Sequence, residues 1–268
     1  MLKFQWDRFA SDGTPVVRDE VIAAYAERLI SDYNPEYLER PWELDPLRFT
    51  EHYLKANLQF VDLYYEDNEE KIAGATVFKE EKIRIFDREN LCTRMETFEG
   101  GTILIDNETM EEGHEAFARF TILHEGGHFC LHPSVFQNRN RGMNHIECGI
   151  PFSAICCRKS GIEEKRTELK TQEDFREHQA NVFAAAIAMP GKVFTEIARD
   201  ALLQMGCEEG FYELPTLRET DYDECADSLY SYMANKFRVS KSAARVQLRK
   251  KGLVLTTWEA MKLRRGLS

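Results

Sequence analysis

Two histidines four residues apart constrain this chain more than anything else in it. Residues 124–132 read His-Glu-Gly-Gly-His-Phe-Cys-Leu-His behind an apolar lead-in, Phe117-Ala-Arg-Phe-Thr-Ile-Leu123. On a helix, His124 and His128 share one face, where two imidazoles can chelate a single tetrahedral metal ion, zinc being the natural choice. Glu125 projects beside them and can act as a general base toward water. Two histidines do not complete such a site. A third protein ligand has to come from elsewhere, with a fourth position left to water, so the fold must bring a second segment back to this helix.

The chain is long enough to do so. Its 268 residues, 43 % of them apolar, suffice for one large domain or two small ones. No apolar run reaches the roughly 18 residues of a spanning helix, and Met1-Leu-Lys-Phe-Gln-Trp-Asp-Arg8 lacks the apolar core of a secretory signal. A cytoplasmic protein without membrane contact is expected. The seven cysteines, Cys92, Cys130, Cys148, Cys156, Cys157, Cys207 and Cys225, are odd in number and irregular in spacing. Reduced structural thiols are the favoured reading. A second metal site built from His145, Cys148, Cys156 and Cys157 is the other, although adjacent cysteines suit a structural cage poorly. The net charge of −11 is uneven: residues 236–268 carry ten Lys and Arg against Glu259, a local +9 that leaves −20 on the rest. An acidic body argues against broad nucleic-acid binding.

Pattern reading gives an α+β chain. Residues 16–31 have helical spacing, with Ile22, Tyr25, Ala26, Leu29 and Ile30 on one side. Asp45-Pro46 caps and starts a short helix running to about Ala56. Four strands follow at 58–65, 72–78, 83–86 and 101–105, predicting a small, mostly antiparallel sheet. The metal-bearing helix runs from about Glu112 to His132, before Pro133. Residues 134–171 are polar and irregular and read as a long surface loop or insertion. Helices are predicted from Thr171 to Ala188, from Gly191 to Met205 and again from Asp223 onward. The last of these breaks at Val239-Ser240, with Ser240 as an N-cap and Ala243, Val246 and Leu248 set against Arg245, Arg249, Lys250 and Lys251. The pattern is helix-turn-helix-like and leaves a local DNA contact open. The favoured reading is a packed helical pair with a solvated basic face.

Three residues are candidates for the third ligand. His132 is eight residues from His124, about 12 Å along a straight helix, too far to share a metal with the pair. Glu177 lies in Glu177-His-Gln-Ala-Asn-Val-Phe-Ala-Ala-Ala-Ile-Ala-Met-Pro190, a helix whose other face is apolar through Val182, Phe183, Ala186 and Ile187. A carboxylate there can complete a His, His, Glu set, and Asn181, one turn on, can hold the far nitrogen of a ligand histidine. His178 is the third candidate, rotated about 100° from Glu177.

These two segments resemble the ImmA/IrrE metallopeptidases. Phe120-Thr-Ile-Leu-His-Glu-Gly-Gly-His-Phe-Cys-Leu-His-Pro133 is similar to that family's HExGH metal helix, and the segment from Glu177 to Pro190 to its E-x-x-A-N-x-F-A helix ending in Met-Pro. A strand such as Gly101-Thr-Ile-Leu-Ile105 precedes the first motif there too. The likeness covers about residues 70–190. It implies a zincin-like, gluzincin-type domain over 1–220, with N-terminal helices in 1–56 and a helical basic segment in 221–268. It further implies zinc on His124, His128 and Glu177, with Asn181 behind them and Glu125 as the catalytic base. The implied activity is endopeptidase cleavage of a regulatory protein, a helix-turn-helix transcriptional repressor in the family's studied members, within a stress or mobile-element response. Departures are a 48-residue interval between His128 and Glu177 and Gly126 at the variable position. Each glycine inside the helix costs about 1 kcal/mol relative to Ala.

A peptidase needs a donor for the anionic intermediate besides the metal, and His178, His114 and the tyrosines are available for it. The strand before the metal helix offers an edge along which substrate could add as a further strand. The rival function is a non-catalytic DNA- or partner-binding regulator that keeps the metal fold.

Overall fold

The structure, a computed structural model, describes residues 2, 5–40, 44–66, 71–137, 154–158, 169–215 and 223–266. These form a mixed α+β chain in two compact units. The first comprises Met1–Asn34 and Leu44–Ala188, the second Pro35–Glu43 and Met189–Ser268. Among the described residues no helix is long and apolar enough to cross a membrane.

In the first unit, helix α1 (Asp19–Tyr33) buries Ile22, Tyr25, Ala26, Leu29 and Ile30, the side its periodicity predicts. Asp45 caps α2 (Pro46–Arg48), accepting from the Leu47 and Arg48 amides. The chain then widens into a π-helical turn, Phe49–Leu54, closed by Lys55 in the left-handed region (φ 64°). Strands β1 (Asn57–Val61), β2 (Ile72–Val77), β3 (Glu81–Asp87), β4 (Cys92–Phe98) and β5 (Thr102–Asp106) follow. Next come α3 (Glu115–Leu131), α4 (Pro133–Gln137), β6 (Ala154–Arg158) and α5 (Gln172–Ala188). Thr171 and Asp174 cap α5 reciprocally, each side chain accepting from the other's amide.

The main sheet is mixed, ordered β1-β5-β2-β6: β1 runs parallel to β5, while β2 is antiparallel to β5 and to β6. Two sequence expectations are corrected here. The segment 134–171 is not a continuous loop: α4 and the sheet strand β6 lie within it, and only 138–153 and 159–168 fall outside the described residues. β6 is a four-residue apolar run, Ala154-Ile-Cys-Cys157, a pattern that suits a buried strand even without alternation. Second, the strand before the metal helix offers no edge. β5 is flanked on both sides, and the outer strands are β1 and β6. β3 and β4 form a separate hairpin in unbroken register from Glu81↔Phe98 to Asp87↔Cys92. β4 escaped the pattern reading because its first four residues are all exposed.

Helix α3 is buried on every side in its second half because successive residues turn by about 100° toward different neighbours. Glu125 meets β2 through Thr76, Gly126 meets Leu54 of the π turn, and Gly127 meets α5. A Cβ on Gly127 would lie 3.1 Å from the Ala180 Cα and 3.2 Å from its carbonyl oxygen. The missing side chain lets the two helices approach at backbone distance. That accounts for a glycine which helix propensity alone disfavours.

The second unit contains α6 (Gly191–Gln204), β7 (Tyr212–Leu214), α7 (Glu224–Phe237), α8 (Lys241–Lys250), β8 (Val254–Thr256) and α9 (Thr257–Arg264). β7 and β8 pair in parallel. Ser240 caps α8, its hydroxyl accepting from the Ala243 amide as predicted. The face of α8 that packs is Ala244 and Leu248, whereas Val246 is exposed. Part of the basic charge is paired within this unit: Lys241 with Asp227 (2.8 Å), Arg249 with Glu259 (3.2 Å) and Arg264 with Glu213 (2.8 Å) and Glu209.

Candidate metal centre

Helices α3 and α5 bring the two sequence motifs together. The Nε2 atoms of His124 and His128 lie 2.9 Å apart. The Glu177 carboxylate meets both rings with a different oxygen, Oε2 at 3.4 Å from His124 Nε2 and Oε1 at 3.3 Å from His128 Nε2. Both histidines are fully buried and Glu177 is 4 % exposed. Burial alone would raise the Glu177 pKa, but the two imidazoles hold it well below the usual carboxylate range.

The outer nitrogens of both histidines are held, and the hydrogen-bond chain fixes the tautomer of His128. His124 Nδ1 is 2.9 Å from Asn181 Oδ1, the partner expected for that asparagine. An amide oxygen only accepts, so Nδ1 carries a proton; burial opposes charge on the ring, but the Glu177 and Glu125 carboxylates outweigh it and raise the His124 pKa. His128 is wired through a longer relay. Its Nδ1 is 3.0 Å from His132 Nδ1, and His132 Nε2 is 3.0 Å from Gln179 Oε1. Gln179 Nε2 donates to the Pro15 carbonyl at 2.7 Å. That carbonyl can only accept, which turns the Gln179 oxygen toward His132. His132 must then donate from Nε2 and accept at Nδ1, so His128 donates from Nδ1 and presents a bare Nε2. Burial holds His132 well below its ordinary pKa and lowers that of His128, which keeps both neutral as the relay needs. A carboxylate buried between two imidazoles calls for a positive charge beside it, which a metal ion or a proton on His124 can supply.

Glu125 borders that point from the sheet side. Thr76 Oγ1 donates to its Oε2 at 2.6 Å, while Oε1 has no hydrogen-bond partner and is buried. Burial pushes the carboxyl up to about 8, against the pull of His124 and Thr76. Room for it comes from Gly74 on β2, where a Cβ would lie 3.0 Å from Glu125 Cγ and Oε1. A carboxyl poised near neutrality with one oxygen unengaged can both take and return a proton.

The structure adds a residue that the sequence reading assigned elsewhere. Cys157, on β6, is fully buried with Sγ 3.5 Å from Glu177 Oε2. One ligand atom each from His124, Cys157 and Glu177 all lie within 4.8 Å of one another, so this buried cluster can hold a metal ion. In the proposed second site, Cys157 would have kept company with His145 and Cys148, which lie outside the described residues. Cys156 pairs with Ala75, one register step from the Cys157–Gly74 pair, and so faces the other side of the sheet.

The remaining candidates go elsewhere. His132 has both ring nitrogens engaged, Nδ1 by His128 and Nε2 by Gln179. His178 Nε2 is 2.9 Å from Asp19, and His114 Nδ1 is 3.2 Å from the Glu108 carbonyl, so neither ring points into the cluster. Residues 12–19, which carried no sequence motif, prove to grip α5. Asp12 pairs with Arg176 at 2.5 Å, Pro15 takes Gln179, and Asp19 takes His178. No family model and no curated protein matches this chain.

Proposed function

We propose that the protein is a zincin-like, zinc-dependent endopeptidase, with His124, His128 and Glu177 as metal ligands and Glu125 as the base. The observation that carries this is the convergence of the two Nε2 atoms, 2.9 Å apart, on the Glu177 carboxylate, which sets Oε2 3.4 Å from one and Oε1 3.3 Å from the other. A tetrahedral ion with bonds of about 2.0–2.1 Å to nitrogen and oxygen sets its ligand atoms about 3.3 Å apart. Two imidazoles and one carboxylate are also the donor set that suits catalytic zinc. Zinc held there supplies Lewis acidity, acidifying water and polarising a scissile carbonyl.

The chain's own residues do the rest. Glu125 Oε1 takes the proton of the attacking water and delivers it to the leaving amine. Thr76, by engaging Oε2, leaves Oε1 as the reactive oxygen. Asn181 and the His132–Gln179–Pro15 relay hold the imidazoles so that their Nε2 lone pairs face inward. The substrate in this reading is a regulatory protein, a helix-turn-helix repressor as the ImmA/IrrE resemblance implies.

Glu125→Gln tests it. The variant should bind zinc like the wild type and cleave no member of a random peptide library read by mass spectrometry. Equal cleavage by both proteins removes Glu125 as the base, and none by either with zinc bound hands the site to a non-catalytic regulator.

A further inference from the structure

We propose that Cys157 is a fourth protein donor to this ion, closing at rest the corner that hydrolysis needs open. The inference rests on the metal reading above and adds a ligand from a third element, β6. An ion bonded to oxygen at about 2.0 Å and to sulfur at about 2.3 Å in tetrahedral geometry sets those two atoms about 3.5 Å apart. Cys157 Sγ lies 3.5 Å from Glu177 Oε2. The register places it there: Cys157 pairs with Gly74, the residue whose missing side chain leaves space over Glu125. Cross-strand partners share a sheet face, so the sulfur lies on the side of the sheet where Glu125 and Glu177 stand. The buried Oε1 of Glu125, which makes no hydrogen bond among the described residues, lies 3.0 Å from where a Cβ on Gly74 would sit.

Coordination forms one sulfur–metal bond and releases the thiol proton to solvent. Opening breaks that bond: the sulfur takes a proton back from solvent and a water takes its place on the ion. With four protein donors the ion has the closed shell of a structural site, and with three it has the open one of a hydrolase.

The test uses the full chain loaded with Co2+ alone. Wild type should show tetrahedral d–d bands together with a near-ultraviolet thiolate-to-cobalt charge-transfer band. Cys157→Ser should lose the charge-transfer band and keep the d–d bands, and Cys156→Ser should keep both. A wild type that binds Co2+ without charge transfer, or a Cys157→Ser variant that retains it, overturns the role of Cys157 and leaves the three-donor site standing. A wild type that takes up no metal overturns both. Should Cys157→Ser fail to fold, X-ray absorption fine structure on zinc-loaded wild type decides: one sulfur in the first shell supports the proposal, and nitrogen and oxygen alone end it. On the peptide library Cys157→Ser should cleave faster than wild type.

Discussion

At the scale of single residues, the centre depends on atoms whose only choice is to accept. Pro15 O and Asn181 Oδ1 each end a chain of hydrogen bonds, and between them they put a proton on the outward-facing nitrogen of both histidines. Gln179 is the hinge of the longer chain because it both gives and takes. Gln179→Leu should therefore weaken zinc binding about 10- to 100-fold, the usual effect of losing a group behind a ligand. Chelator competition reads the change, and unaltered affinity would show the relay to be ornamental. Gln179→Glu keeps the acceptor but cannot donate to Pro15, so it should fall between Leu and wild type. Much of this centre was legible in the sequence. The spacing of His124, Glu125 and His128 and the later Glu177 and Asn181 named the residues that the fold brings together. The same four-residue step that removes His132 as a ligand puts it beside His128, a signal that could have revealed its true neighbour. Gln179 gave no signal, since nothing local links it to the carbonyl of residue 15.

At the scale of elements, helix boundaries followed from caps and periodicity, while the sheet was read less well. Asp45, Thr171 and Ser240 cap where their chemistry says they should. β4 is too exposed to alternate, and β6 is a short apolar run inside a polar stretch, so neither carries the period-two signal. The glycine pair of α3 illustrates a further limit: propensity disfavours both, but only tertiary packing says which one matters. Gly127→Ala gains about 1 kcal/mol in helix propensity but drives a methyl onto the Ala180 backbone. Overpacking of that kind costs about 1–3 kcal/mol, so chemical denaturation of the metal-free protein should show net loss. Gly126→Ala meets chiefly a Leu54 methyl, which can yield, and should be close to neutral or stabilising. A reversed order would mean that α3 and α5 are not held at backbone distance.

At the scale of the whole molecule, the early segment of the chain is part of the metal-bearing unit. Asp12, whose side chain also caps Thr14, reaches across more than 160 positions to Arg176. Burial would raise the Asp12 pKa, but the Thr14 amide and hydroxyl and the Arg176 guanidinium outweigh it and hold the carboxyl below its ordinary 3.8. A folded value below the unfolded one stabilises the protein fully above pH 3.8, and that share is lost as the pH falls through the lowered value. The stability gap between wild type and Asp12→Asn should thus be wide near neutrality and close below pH 3.8 in acid-unfolding curves. A gap independent of pH would separate Asp12 from Arg176. The terminal acceptor of the relay has a wider consequence. A main-chain oxygen survives any change of side chain, so position 15 can drift in evolution without rewiring the imidazoles. Position 179 has no such freedom, and a protein that had lost its glutamine would have to find another way to tell His128 which nitrogen to bare.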